Sequence, residues 1–395
     1  MSISDNVRKR MVEGSWTRRM FEEAAVLKKT HGEHNVFDLS LGNPIIEPPA
    51  EFRQALKELC NNPRAGMHRY MENAGYHETR ESVAKQITHE NGIKVSAEDI
   101  VMTVGAAGAI NVILKTVVNS GEEVIVFAPF FMEYDNYIDN HGGKTCVVKT
   151  DDCCMPDLKD LEKKINAKTK AVIINSPNNP TGVVYSADFT AKLLDVLTRK
   201  ERQFNSCIYL ISDEAYSNLM YDGLSYVPIL KMYHRSFIAT SHSKDLALPG
   251  ERIGYIAINP DIENKEELVN GLIFCNRILG FVNAPALMQN LVRHLQHITV
   301  SIPEYEEKRD FLYNNLTSMG YKLVKPQGAF YMFPKTPIAD DVEFVRELQK
   351  SNVLTVPGRG FGTPGYFRVS YCVNHKTLEG SLFGFRQTAE KFGLS

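Results

Sequence analysis

The chain has 395 residues, 43% of them hydrophobic and 23% charged, with a formal net charge of −2. That length exceeds one ordinary core and predicts two packed units, while the balanced charge leaves no basic footprint for nucleic acid or an anionic membrane. No apolar run reaches the roughly 18 residues of a transmembrane candidate, and the N-terminal residues lack a signal peptide's apolar stretch, so a cytoplasmic location is expected.

An amphipathic helix is predicted around residues 18–30, ending at Gly32. Residues 51–60 place Phe52, Leu56 and Leu59 on one helical face, and residues 77–90 form a second amphipathic helix ended by Asn91-Gly92. Short β-type runs follow at 100–104, 124–128, 145–149, 171–175, 208–212 and 237–240. Helical stretches at 110–118, 131–140, 157–165 and 187–202 separate most of them. Near-continuous apolar strands such as Ala171-Val172-Ile173-Ile174 mark a mainly parallel sheet covered by helices on both faces.

From about Pro285 the texture changes. Helices are predicted at 286–300 and 303–318, then short strands at 322–324 and 329–333. A helix at 342–350, strands at 353–356 and 366–371 and a last helix complete the chain. The expected fold class is α/β, with a large domain over 46–285 and a smaller α+β domain from 1–45 and 286–395. Seven cysteines (Cys60, Cys146, Cys153, Cys154, Cys207, Cys275, Cys372) are scattered and never spaced C-x-x-C, so reduced thiols and no metal site are expected.

Chemistry concentrates where predicted strands end, which is where open α/β sheets bind ligands. Val104-Gly-Ala-Ala-Gly-Ala-Ile110 opens a helix after a strand, and the free N–H groups of Gly105, Ala106 and Ala107 suit a phosphate. Ala128-Pro-Phe-Phe-Met-Glu-Tyr134 follows a strand end, from which Phe131 can lie on a heterocycle or simply pack in the core. In Asn175-Ser-Pro-Asn-Asn-Pro-Thr-Gly182, two prolines and a glycine fix the direction of the Asn179 amide.

Asp213, in Ile211-Ser-Asp-Glu-Ala-Tyr216, closes an apolar strand, where a buried carboxylate needs a cationic partner such as a protonated pyridine. A helix cap is the plainer alternative. Tyr216, three residues on, can donate to a phenolate on the same ring. Ser241-His-Ser-Lys-Asp-Leu-Ala-Leu-Pro-Gly-Glu-Arg252 holds Lys244 between small hydroxyl residues and a Leu-Pro-Gly turn, with the fixed cation Arg252 eight residues later. An amine beside a phosphate site points to a phosphorylated aldehyde, pyridoxal 5′-phosphate. Arg368, mid-strand among apolar residues, needs an anion, and its fork matches an α-carboxylate or an internal acid.

These motifs, in this order, resemble the class I and II aminotransferases, fold-type I pyridoxal-phosphate enzymes of the aspartate aminotransferase type. The resemblance runs from about Asp38 to the C-terminus. It implies that Lys244 bonds the cofactor aldehyde and later shuttles a proton, while Asp213 keeps the pyridine nitrogen protonated. Asn179 and Tyr216 would bond the ring oxygen, and Phe131 would stack on the ring. Gly105, Ala106, Ala107, Ser241 and Arg252 would hold the phosphate, and Arg368 the substrate carboxylate, helped by Asn179 and the backbone at Gly42. Tyr70 would reach the phosphate of a neighbouring subunit and Asn283 would border that site, making the active unit a homodimer. The phosphate turn departs from many relatives, which carry Ser, Thr or Lys where Ala106 and Ala107 stand here.

The implied reaction moves an amino group from an L-amino acid to a 2-oxo acid through pyridoxamine phosphate, in ping-pong order. Aspartate with 2-oxoglutarate is the leading pair. No position clearly marks a cation for a second carboxylate; Arg18, Arg19, His242 and Arg359 are the candidates. A carbon–sulfur β-lyase would use nearly the same residues, and a non-catalytic cofactor-binding regulator is the remaining alternative.

Overall fold

A computed structural model describes residues 2–13 and 16–394. Its centre is a seven-stranded sheet in the order Ile100–Thr103, Gly254–Ile258, Ser236–Ser241, Tyr209–Asp213, Thr169–Asn175, Glu123–Phe127, Lys144–Val148. Pairing is parallel throughout except around Gly254–Ile258, which is antiparallel to both neighbours. Two reversals cancel, so Ile100–Thr103 runs in the same direction as the five parallel strands. Consequently Thr103, Phe127, Asn175, Asp213 and Ser241 all finish at one edge of the sheet, and Arg252 enters that edge just ahead of the reversed strand. In register, Asn175 lies beside Asp213, and Gly254 beside both Ser241 and Thr103.

The central strands are buried along nearly their whole length, with only Lys170 and Tyr209 half-buried, because helices cover both faces. Helix Ala187–Phe204 shows how these covers are delimited: the Ser186 hydroxyl accepts from Phe189 N, and Asn205 leaves the last turn in a left-handed conformation with φ 47°. All six sheet strands expected from apolar runs are present within two residues of their expected ends. The seventh, Gly254–Ile258, and the helix Lys265–Ile278 are additions.

Beyond residue 285 the expectations need correction in three places, one being that the strand expected over 353–356 is divided between two sheets as Val353–Leu354 and Val356–Pro357. The helix expected over 286–300 stops at Val292. The chain then turns so that Val300 N donates to the carbonyl of Asp245 at 2.7 Å, and this docking overrides helical spacing. Residues 322–324 form no named strand. The remaining short strands are Tyr331–Met332, Val356–Pro357 and Phe367–Ser370, an antiparallel sheet with Phe367–Ser370 in the middle. Phe37–Asp38 pairs in parallel with Val353–Leu354, and Met20 and Leu39 are buried in one cluster with Phe344, Phe367 and Phe385. Tyr216 and Tyr331 belong to that same cluster, which therefore forms a wall of the site described next.

Among the described residues no helix is long and apolar enough to cross a membrane.

Candidate active site

At the shared strand edge lies a cavity of about 500 Å³. Its lining includes Gly42, Ala106, Ala107, Phe131, Asn179, Asp213, Tyr216, Ser241, Lys244, Arg252 and Arg368, drawn from segments as far apart as residues 42 and 368. Gly105 is not part of the lining but directly precedes Ala106, which is. A Cβ on Gly105 would come within 2.8 Å of Arg252 Nη2, and its φ of 78° is one that side chains rarely adopt, so this turn is built for glycine. The helix Gly105–Val117 starts here, presenting unpaired N–H groups beside Arg252. Arg252 itself donates to Pro249 O at 2.9 Å and stays exposed, with guanidinium donors to spare.

Lys244 is partly buried, and the part left open faces the cavity. Its Nζ donates to Gly42 O at 2.8 Å and lies 5.4 Å from the Phe330 ring centre. Burial pulls the amine's pKa down to about 8, because the charged form is poorly solvated there. Gly42 has no room for a side chain: a Cβ would fall 1.7 Å from the Tyr331 hydroxyl. Thus Gly42, whose backbone is expected to help hold the substrate carboxylate, here offers its carbonyl to the lysine.

Asp213 is buried at the end of its strand. Tyr134 donates its hydroxyl to Oδ2 at 2.5 Å, Ala215 N donates to Oδ1 at 3.3 Å, and burial pushes the carboxyl up to about 6. Glu214, next in sequence, points elsewhere. Ser212 and Tyr226 donate to it, each at 2.8 Å, and burial pushes it further, to about 8. At neutral pH the two neighbouring acids therefore divide: Asp213 carries the charge and Glu214 keeps its proton. Asn175 ties the strand ends together, donating to Asp213 O at 3.0 Å and accepting from Asn179 N at 2.7 Å.

Arg368 is only 3% exposed. Its Nη1 donates to Asn179 Oδ1 at 3.1 Å and its Nη2 to Ser40 O at 2.6 Å, while Nε–H is buried with no partner. The guanidinium lies 4.6 Å from the Tyr331 ring centre and 4.8 Å from that of Phe361. Among the described residues no acid neutralises it, and burial pulls its pKa below the ordinary arginine value. A buried cation with an orphaned donor is a deficit that an anionic ligand would fill. Tyr216 meets the Tyr331 hydroxyl at 3.1 Å, and Phe131 stands edge-on to Tyr134 with ring centres 5.5 Å apart.

Tyr331, Ser40 and Phe361 are site residues outside the motifs, and Tyr134 and Asn175 lie within them without a role that the motifs announce. Tyr134 follows Phe131 by three residues, the spacing that puts two side chains on one side of a helical turn. Of the candidates for a second carboxylate, His242 faces away from this cavity and pairs with Asp245, and Arg359 is bonded to Asp340 and Asp341. The Arg19 guanidinium covers the Trp16 ring at 5.2 Å, and the Arg18 side chain lies outside the described residues. Tyr70 is 91% exposed, and Asn283 donates to Glu72 O at 2.8 Å.

The profile of the family described as aminotransferase class I and II matches residues 34–381. The chain belongs to this family. It is 32% identical over 363 residues to an aspartate aminotransferase of Thermotoga maritima, covering 91% of this chain and 92% of that one. It is 30% identical over 393 residues to an aromatic-amino-acid aminotransferase of Thermococcus litoralis, covering 96% of each. The crystal structure of an aminotransferase from Eubacterium rectale superposes with a TM-score of 0.95 at 35% identity, over 99% of both chains.

The protein is accordingly a class I and II aminotransferase of fold-type I, a transferase of amino groups between amino acids and 2-oxo acids, and its cofactor is pyridoxal 5′-phosphate. The cavity fits that group: an amine of lowered pKa, a buried ionised acid, a glycine turn at a helix start and a fixed cation each have a counterpart on it.

Proposed function

We propose that Lys244 bonds the cofactor and moves the substrate proton in this aminotransferase, with L-aspartate and 2-oxoglutarate as the leading substrates. The observation that carries the reading is the Lys244 amine, held against Gly42 in the cavity that Asp213 and Arg368 also line and kept partly neutral by burial. A neutral amine is the form that attacks an aldehyde and accepts a proton. The bound cofactor supplies the electron sink that makes the substrate Cα–H acidic. Asp213 holds the positive charge of the pyridine nitrogen, with Tyr134 fixing its orientation. Asn179 and Tyr216 serve the ring oxygen, and Phe131 covers the ring. Gly105, Ala106, Ala107, Ser241 and Arg252 take the phosphate.

Arg368 takes the substrate carboxylate, which would satisfy its orphaned Nε–H. Arg368→Leu should raise KM for amino and oxo acids alike by about 100-fold, the loss of about 3 kcal/mol of charge-assisted hydrogen bonding, without altering the fold. Steady-state kinetics together with circular dichroism check this; an unchanged KM refutes the carboxylate role.

The choice of aspartate is supported by the name of the Thermotoga relative. A competing aromatic donor is supported by the name of the Thermococcus relative and by Leu41, Phe131, Met132 and Phe361 in the cavity wall. One experiment addresses donor and reaction class together. Purified protein is mixed with aspartate or with tyrosine, without oxo acid, and its spectrum and products are followed. Stoichiometric 2-oxo acid with conversion of the cofactor to its amine form is expected. Pyruvate with ammonia from a suitable amino acid indicates a carbon–sulfur lyase, and an unreactive spectrum a cofactor-binding regulator.

A homodimer belongs to the same proposal. Exposed Tyr70 continues into a segment bonded to residues 276–283, in and just before which Ile278 and Phe274 are also about half exposed, apolar surface that a second copy would cover. So does the division into domains over 46–285 and over 1–45 with 286–395, supported by the core that Met20 and Leu39 share with Phe344 and Phe385. The free state of all seven cysteines supports a cytoplasmic location.

A further inference from the structure

Lys244 is carried on a turn with two faces. Ser243 and Lys244 line the large cavity, while His242 and Asp245 line a separate void of about 10 Å³ behind it. There His242 Nδ1 meets Asp245 Oδ2 at 3.0 Å, and its other ring nitrogen faces the Gln296 amide at 3.4 Å. The imidazole is 3% exposed. Asp245 Oδ1 accepts from Leu246 N at 2.7 Å, and the Asp245 carbonyl accepts from Val300 N at 2.7 Å. Backbone bonds from His242 N to Ile253 O at 3.0 Å and from Leu248 N to His242 O at 3.2 Å close the rest of the turn.

Nothing in the cofactor or carboxylate machinery uses this pair. An apolar side chain at 242 would fill the same space without the desolvation penalty of a buried imidazole and acid. What the pair adds is geometric definition. A lysine stem has four rotatable carbons, so the direction of its amine is only as fixed as the backbone that carries it. Displacement of a reacting group by about 1 Å costs up to about 100-fold in rate.

We propose that His242 and Asp245 are positioning residues for Lys244: their pairing pins the turn from behind, so that the amine is presented to the cavity in one orientation. This rests on the reading that Lys244 bonds the cofactor aldehyde. In the test, apoprotein is mixed with pyridoxal phosphate and the rate of bond formation is followed by the visible absorbance of the lysine-bound cofactor. Affinity for pyridoxine 5′-phosphate, which has no aldehyde, reports whether the site is otherwise intact.

His242→Phe keeps the volume and removes the bond; His242→Asn places an amide nitrogen where Nδ1 stood. For His242→Phe, bond formation and kcat should fall by about 10-fold or more, with substrate KM and analogue affinity within about twofold of wild type. His242→Asn should recover most of the rate. Asp245→Ala should slow the reaction as His242→Phe does, and the double variant should be no slower than either single one. Wild-type rates in His242→Phe, additive losses in the double variant, or analogue affinity falling in step with rate would each overturn the proposal. A wild-type apoprotein that forms no bond overturns the reading of Lys244 and the proposal with it; bonding at equal rates in wild type and variants overturns the pair alone.

Discussion

Lys244→Ala is expected to fold and to retain pyridoxal phosphate through the remaining contacts of the cavity, yet to lose about 10⁴-fold or more of kcat. The two properties separate because the Gly105–Ala107 turn, Asp213 and Arg252 are independent of the lysine stem, whereas among the described residues no other amine lines the cavity. Removing the lysine also changes the pH dependence of the apoprotein. Its folded pKa, about 8, lies below the ordinary 10.5, so between these values the unfolded chain binds more protons and wild-type stability rises with pH. The variant should therefore be the more stable apoprotein at pH 7, with an advantage that shrinks as pH rises from 8 towards 10.5. Absorbance, single-turnover rates and thermal unfolding at two pH values measure these effects. Turnover within about a hundredfold of wild type would remove Lys244 from the chemistry.

Asp213→Asn should cost about 10³-fold in kcat while stabilising the apoprotein at neutral pH. The loss follows from removing the one ionised acid that can hold a cationic pyridine in the buried strand end. The gain follows from burial. Asp213 has a folded pKa of about 6 against an ordinary 3.8, so the native state holds its proton more tightly across that interval and stability falls as pH rises through it. Above pH 6 the cost is fully present, up to about 3 kcal/mol. An asparagine avoids it and still meets its neighbours, since the Tyr134 hydroxyl can accept where it now donates and Ala215 N keeps an oxygen acceptor. The melting-temperature difference should thus be largest near pH 7 and vanish towards pH 4. A difference that is flat in pH, or of opposite sign, contradicts a charged Asp213. Activity and stability are opposed at this residue, as expected where a charge is buried for use.

Much of this site is legible in the sequence because each element announces itself locally. Thr169–Asn175 and Tyr209–Asp213 are near-continuous apolar runs, and polar residues at their ends stand out against them. The parallel sheet then gathers those ends without further instruction. Gly254–Ile258 is harder to see, since it follows directly on the Lys244–Arg252 segment with no intervening helix, and nothing local says that it reverses. The helix Asp5–Glu13 escapes for another reason. Val7 and Met11 stay exposed, so among its described side chains no apolar face is buried to pattern the segment. Tyr331 and Ser40 are invisible because their roles depend on distance: Ser40 is 328 residues from the Arg368 that it accepts from, and Tyr331 matters through the space that Gly42 leaves. The direction of His242 could not be read either, since one turn offers its side chains to two different cavities.

The attachment of the cofactor to Lys244 is tested most directly by reducing the holoprotein with borohydride, digesting it and locating the added mass. The label is expected on the peptide containing residues 241–252, at Lys244 and stoichiometric with bound cofactor. Label on a different lysine, or none on a protein that still carries pyridoxal phosphate, would contradict it.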